Sequence, residues 1–236
     1  MKAILNAVGI RKSFGLLCVV DGVDLTVAAG ETVALVGPNG AGKTTLLNVL
    51  SGQLRATGGA IRLCGRDVTQ RHPSHPDRKA LLRSFQNGGV FGKLDAVDNV
   101  ALAAVARGVT PTAARTAGLE ALERVGLRAV AAKRADTLSG GQRKLIDFAR
   151  LLVAKPSVVL LDEPTAGVSP AIMQTMRDIL AHERQRGLAA VIVSHDLPWI
   201  YHLCDRVLVL GNGRRLAEGS PAEVSADPRV QEAYLV

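Results

Sequence analysis

The stretch Thr32 to Thr44, TVALVGPNGAGKT, decides the fold. Thr32 to Val36 form a continuous apolar, β-branched run, as in a parallel strand buried on both faces. Gly37, Pro38, Asn39, Gly40, Ala41, Gly42, Lys43 and Thr44 then match G-x-x-x-x-G-K-[ST], and Thr44 to Leu50 reads as the start of a helix. Strand, glycine loop and helix, in that order, are the context this motif requires. The glycines let successive backbone N–H groups curl round phosphate oxygens, and the helix adds the positive end of its dipole. Lys43 is expected to contact the β- and γ-phosphates of a nucleotide and Thr44 the Mg2+, with Thr45 beside them at the helix start.

Two further strands lie downstream. Val158 to Leu161 (VVLL) precede Asp162 and Glu163, and Ala190 to Val193 (AVIV) precede Ser194 and His195. All three strands place polar chemistry at their C-terminal ends, where open parallel sheets gather their ligand sites. Neighbours on a strand point to opposite faces, so the two carboxylates are expected to do different work. Asp162 would help hold Mg2+, and Glu163 would polarise the water that attacks the γ-phosphate. The alternation of short β runs with longer helical stretches makes the chain α/β.

Between Arg78 and Pro156 the texture turns rich in Ala, Leu, Arg and Glu, as in Ala113 to Val125, and reads as an inserted helical subdomain. The expected organisation is one domain over 1–236, with a nucleotide-binding α/β core in 1–78 and 156–236 and a helical subdomain in 79–155. Gln70 to Pro76 (QRHPSHP) is a proline-punctuated connection, and the tail from Ser220, with Pro221 and Pro228, reads as two short helices.

Composition narrows the function classes. The chain has 236 residues, and its 47% hydrophobic content is almost all aliphatic. At 3% aromatic residues, stacking platforms for bases are scarce, which argues against a single-strand nucleic-acid binder. A net charge of +8 suits phosphate ligands or an anionic membrane surface, and equally a plain solvated exterior. The three cysteines, Cys18, Cys64 and Cys204, are widely spaced without a CxxC, which fits a reducing compartment and no metal–thiolate site. The longest apolar runs fall far short of the ~20 residues that span a bilayer, and the first residues carry no signal-peptide pattern.

Leu138, Ser139, Gly140, Gly141 and Gln142 precede a helix expected from about Arg143 to Ala154, with Ser139 suited to capping it. With the phosphate loop and the acidic pair, in this order, LSGGQ makes the chain resemble the ATP-binding cassette (ABC) ATPases. The resemblance implies a P-loop NTPase core with a mixed sheet, ATP and Mg2+ as cofactors, and a head-to-tail nucleotide sandwich dimer. In that dimer Ser139, Gly140, Gly141 and Gln142 of one subunit would cap the γ-phosphate held by another subunit's phosphate loop. It also implies that Gln86, in RSFQN, reaches the metal and the nucleophilic water, that His195 contacts the γ-phosphate, and that Phe14 stacks on adenine.

The partners implied are membrane permease subunits, a second ABC ATPase subunit (a copy or a relative) and, indirectly, a periplasmic or extracellular substrate-binding protein; no nucleic acid is implied. The location implied is peripheral, on the cytoplasmic face of the membrane, with a short permease helix docked near Gln86 to Leu102 in a groove between the subdomains. After Pro164 the family's usual S-A-L-D is replaced by Ala166, Gly167, Val168 and Ser169. This variant, RSFQN and the ending Val230 to Val236 resemble the branched-chain amino acid importers. The rival readings are an ATPase of a lipid or lipopolysaccharide exporter and a soluble cassette acting on DNA or ribosomes.

Overall fold

The computed structural model describes residues 3–84 and 89–235. Two compact units make up the chain, one of Met1–Arg83, Ser157–Glu163 and Glu183–Val236, the other of Ser84–Pro156 and Pro164–His182.

The first unit carries two sheets. One is antiparallel, ordered β2-β1-β4-β5, from β1 (Ala3–Phe14), β2 (Leu17–Ala28), β4 (Gly58–Leu63) and β5 (Arg66–Asp67). The other is ordered β10-β9-β3-β8-β7-β6, from β3 (Thr32–Val36), β6 (Leu81–Arg83), β7 (Val158–Asp162), β8 (Ala189–Val193), β9 (Arg206–Gly211) and β10 (Arg214–Gly219). Its pairings are parallel except for the β9–β10 hairpin, so the sheet is mixed. Every residue of β3, β7 and β8 is buried, which is why each reads as an unbroken apolar run.

Helix α1 (Lys43–Ser51) joins the sheets. Its Leu46, Leu47, Val49 and Leu50 share one core with Leu5, Ile10 and Leu25 of the antiparallel sheet and Val33, Leu160 and Val191 of the mixed one. Beyond it, Arg78 is buried without a carboxylate: it donates to the carbonyls of Leu50 (2.7 Å), Val68 (2.6 Å) and Arg71 (2.7 Å). A cation on the last turn of α1 also meets the negative end of the helix dipole. The unit is completed by α6 (Leu197–Tyr201), α7 (Pro221–Ala226) and α8 (Pro228–Leu235), the last two being the short terminal helices expected from the prolines.

The second unit is built on α2 (Ala96–Val105), α3 (Pro111–Arg124) and α4 (Gly140–Ala154), together with most of α5 (Pro170–Gln185). Helix α4 begins at Gly140, three residues before the expected start. The reason is a capping box: Ser139 Oγ accepts from the Gln142 N–H and Gln142 Oε1 from the Ser139 N–H, which closes the first turn round the two glycines.

A buried polar network holds this unit together. Asn99, fully buried, bonds the N–H and carbonyl of Phe91 and the carbonyl of Asp95. Arg150 donates to the Asn99 carbonyl and side-chain oxygens, to the Gly89 carbonyl and to Asp147. Burial pushes the Asp147 carboxyl up to about 6, against the opposing pull of Arg150 and Lys144. An acid that titrates higher in the folded than in the unfolded chain costs stability as pH rises from about 4 to about 6, and the full cost persists above that window. Replacing it with a neutral isostere removes this cost, on the order of 3 kcal/mol as an upper figure. We expect the melting temperature of Asp147→Asn, relative to the unsubstituted protein, to rise between pH 5 and pH 8; a difference that stays flat contradicts this.

Candidate active site

The phosphate loop leaves β3 and closes on its own lysine. Lys43 Nζ donates to the carbonyls of Gly37 (2.7 Å) and Pro38 (2.9 Å) and is buried. Burial lowers the Lys43 ammonium from its ordinary value, while Glu163 and Asp162 pull it back up. An ammonium so placed holds the loop round itself and presents positive charge to its concavity.

Glycine is obligatory at two points of this loop. A Cβ on Gly37 would lie 2.2 Å from the Leu210 carbonyl oxygen, and one on Gly42, at φ 95°, would lie 2.6 Å from that of Val19. Both neighbours are backbone atoms of strands and cannot yield. Gly40 adopts φ 80° with open space beyond it, so the conformation itself explains the glycine there. The loop is also tied to the β9–β10 turn by the Gly213 N–H on the Ala41 carbonyl.

The start of α1 fits an anion. Its N-cap, Gly42, has no side chain, so no cap covers the first N–H groups of a helix whose Thr44 is exposed and Thr45 half-buried. A charged phosphate is the natural acceptor for them. The donors nearby are oxygens, the Thr44 hydroxyl and the Asp162 carboxylate. Among the described residues no cluster of His, Cys, Asp or Glu could hold a metal by itself. That donor set fits a hard cation which arrives with phosphate oxygens and keeps some of its water.

Asp162 is the last residue of β7, and one of its oxygens, Oδ2, accepts from Arg83 at 3.3 Å. Glu163 lies beyond the strand at φ 49°, the left-handed region rarely used by a residue with a side chain. That turn, and not the alternation of a pleated strand, is what separates the two carboxylates. It is stabilised by the Glu163 N–H on the Val193 carbonyl (2.8 Å). The Glu163 carboxylate then meets His195 twice, Oε1 3.1 Å from the ring Nε2 and Oε2 3.3 Å from the backbone N–H. Glu163 is largely buried while His195 is half-exposed, so the pair spans the boundary between protein and solvent.

Phe14 stands half-exposed at the end of β1, with Lys12 Nζ 4.8 Å from its ring centroid. Phe14, the phosphate loop, Asp162, Glu163 and His195 all belong to the first unit, whereas Ser139, Gly140, Gly141 and Gln142 belong to the second. Gln86 lies outside the described residues. In the second unit Gly141 is buried, and a Cβ there would meet only the end of the Ile172 side chain, Cδ1 at 2.4 Å, which can turn aside, while Ser139 and Gly140 are exposed at the tip of α4. One residue the sequence reading left without a role, Arg83, sits on the Asp162 carboxylate; only its position just before Gln86 hints at the site.

A phosphate loop, a strand-end carboxylate pair and a capped glycine signature stand together on this chain. The family model for ABC transporters matches residues 20–166. The chain belongs to the ABC transporter family. It is an ATP-binding subunit of that family, and its enzymatic activity is ATP hydrolysis. A second model, described as branched-chain amino acid ATP-binding cassette transporter, matches residues 214–235.

The ABC chain is 35% identical to the high-affinity branched-chain amino acid transport ATP-binding protein BraF of Pseudomonas aeruginosa, over 99% of this chain and 98% of that protein. It is 34% identical to the lipopolysaccharide export system ATP-binding protein LptB of Acidithiobacillus ferridurans, over 100% of this chain and 98% of that protein. Among solved structures, the ADP conformation of an ATP-binding cassette of an ABC transporter superposes with a TM-score of 0.88 at 28% identity, covering 100% of this chain and 99% of the other. A nucleotide-free cassette superposes with a TM-score of 0.89 at 28% identity, covering 99% of both.

Proposed function

We propose that this ABC ATPase drives the import of branched-chain or other hydrophobic amino acids, or related small amides, through a membrane permease. The observation that carries the substrate class is the match of residues 214–235, from β10 through α7 and α8, to the branched-chain amino acid cassette model. The full-length likeness to BraF supports it. The equal likeness to LptB favours a second reading, the ATPase of a lipopolysaccharide exporter. The two share their chemistry and differ in the permease they engage.

In this reading the phosphate loop and the N-terminus of α1 bind the β- and γ-phosphates of ATP, with Lys43 as the charged donor. Phe14 provides an apolar face for the adenine. Thr44 and Asp162, with Gln86, would hold Mg2+, which would neutralise phosphate charge when bound. Glu163 takes a proton from the attacking water. His195 orients that carboxylate through its two contacts and would contact the γ-phosphate. Ser139, Gly140, Gly141 and Gln142 offer a second helix N-terminus, which caps the nucleotide of a second cassette. Closure of such a pair is favoured by ATP because ATP binds the closed state better than the open one.

The permease engages the second unit. Leu94, Ala101, Leu102, Val105 and Leu119 line an apolar groove of about 720 Å3 along α2 and α3, rimmed by the Arg115–Asp98 ion pair. Among the described residues no helix is long and apolar enough to cross a membrane. An apolar cytoplasmic helix of the permease suits this groove, and its docking would hold the ATPase at the cytoplasmic face. A periplasmic or extracellular binding protein would act on the far side, through the permease.

Two experiments test this. Glu163→Gln should still bind MgATP but hydrolyse it at least ~100-fold more slowly, since a general base contributes ~10² to 10⁴; turnover within a few-fold of normal removes Glu163 from the role. Purification from native detergent-solubilised membranes should recover multi-span permease subunits. Leu102→Glu should cut that recovery roughly tenfold or more, as a charge buried at an apolar interface does, with ATP binding as the control for folding. Recovery of lipopolysaccharide-export subunits selects the second reading, and undiminished recovery with Leu102→Glu moves the docking surface elsewhere.

A further inference from the structure

Two arginines of the first unit whose side chains are almost covered, Arg78 and Arg83, are used differently. Arg78 bonds backbone carbonyls and acts as a staple. Arg83, the first residue of RSFQN and the last of β6, bonds side chains instead. One terminal nitrogen, Nη1, shares its two N–H groups among Asn48 Oδ1, Gln53 Oε1 (2.9 Å) and, more distantly, Ser51 Oγ (3.2 Å), all in or just after the last turns of α1. The other, Nη2, donates to Asp162 Oδ2 at 3.3 Å, with both side chains in the pair less than a tenth exposed.

Stability is a poor explanation for this pair. Removing two charges from water costs several kcal/mol per ion, and buried pairs are often no better for stability than apolar residues of the same size. Burial does lower the Arg83 guanidinium from its ordinary value, with Asp162 as the opposing influence. A planar guanidinium anchored on side chains in or just after α1, however, holds one N–H at a fixed point before Asp162 Oδ2, which a flexible lysine does less well and an apolar residue cannot do. The same helix that carries Lys43 and Thr44 at its start therefore carries, at its end, the anchor that sets Asp162.

We propose that Arg83 is a positioning residue for the metal–nucleotide complex: held by Asn48, Ser51 and Gln53, it orients the Asp162 carboxylate for the cation that accompanies bound nucleotide. This rests on the reading that Asp162 holds that cation. Carboxylates that ligate metals depend on such hydrogen-bond partners, whose loss typically weakens metal affinity ~10- to 100-fold.

The test uses Mn2+ as the probe and ADP as the nucleotide, so no turnover is involved. Electron paramagnetic resonance gives the affinity of Mn2+ for the protein–ADP complex, and a separate titration in chelator gives metal-free ADP affinity. Arg83→Met should bind metal-free ADP within twofold of normal and bind Mn2+ ~10- to 100-fold more weakly. Arg83→Lys, which keeps a charged donor, should lose less than Arg83→Met; if Arg83→Met does not fold, a loss above twofold in Arg83→Lys carries the test. Normal Mn2+ affinity in the substituted protein, or an equal loss of metal-free ADP binding, overturns the proposal. Asp162→Asn separates the two layers. If it also leaves Mn2+ affinity unchanged, the metal role of Asp162 fails and Arg83's role with it; if it weakens Mn2+ binding while Arg83→Met does not, only Arg83's role fails.

Discussion

A buried ammonium on two backbone carbonyls holds the catalytic half of this molecule in shape. Lys43 closes the phosphate loop on Gly37 and Pro38, and the loop can pass between the carbonyls of Val19 and Leu210 only because Gly37 and Gly42 carry no Cβ. The packing round the loop follows from that constraint. Strand β3 must deliver the loop, α1 must begin where it ends with no capping side chain, and β2 and β9 must stand close enough to wall it. The cost of burying the ammonium is offset by two carbonyls and by the nearby Asp162 and Glu163, and a bound phosphate would offset more of it.

Much of this was legible in the sequence, for physical reasons. Strands β3, β7 and β8 are buried on both faces, so their apolar runs carry no interruption, and the loop motif has a fixed spacing because backbone N–H groups must converge on one anion. The antiparallel sheet was not legible. Strands β1 and β2 are partly exposed, and four irregularities in their register, between Ala3/Leu5, Ala7/Ile10, Ile10/Lys12 and Lys12/Ser13, break the period of two that would betray them. Strand β6 has three residues, too few for any period, although its Arg83 reaches the site. The extra first turn of α4 was hidden by two glycines, which read as loop until the reciprocal Ser139–Gln142 bonds are seen.

The departure at Ala166 to Ser169 has a local structural basis. Gly167 adopts φ 69°, a conformation that disfavours residues with a side chain, and the Ala166 carbonyl accepts from Lys144 Nζ at 2.5 Å. Ser169 directly precedes Pro170, the first residue of α5, the arrangement expected of an N-cap and N1 pair. The loop is thus shaped by its own turn and by α4, the helix that carries the glycine signature. Work is divided along the chain: phosphate loop, carboxylates and histidine in one unit, signature and apolar groove in the other.

The most direct test of the phosphate site is a comparison of nucleotides by isothermal titration with the purified protein. If the binding free energy resides in the contacts of Lys43 and the α1 N-terminus with the β- and γ-phosphates, ATP and ADP should bind while AMP binds at least ~100-fold more weakly, as expected when charge-assisted phosphate contacts worth a few kcal/mol are lost. Equal affinity for AMP and ATP would contradict the placement of phosphates in this loop, and with it the site built around Lys43.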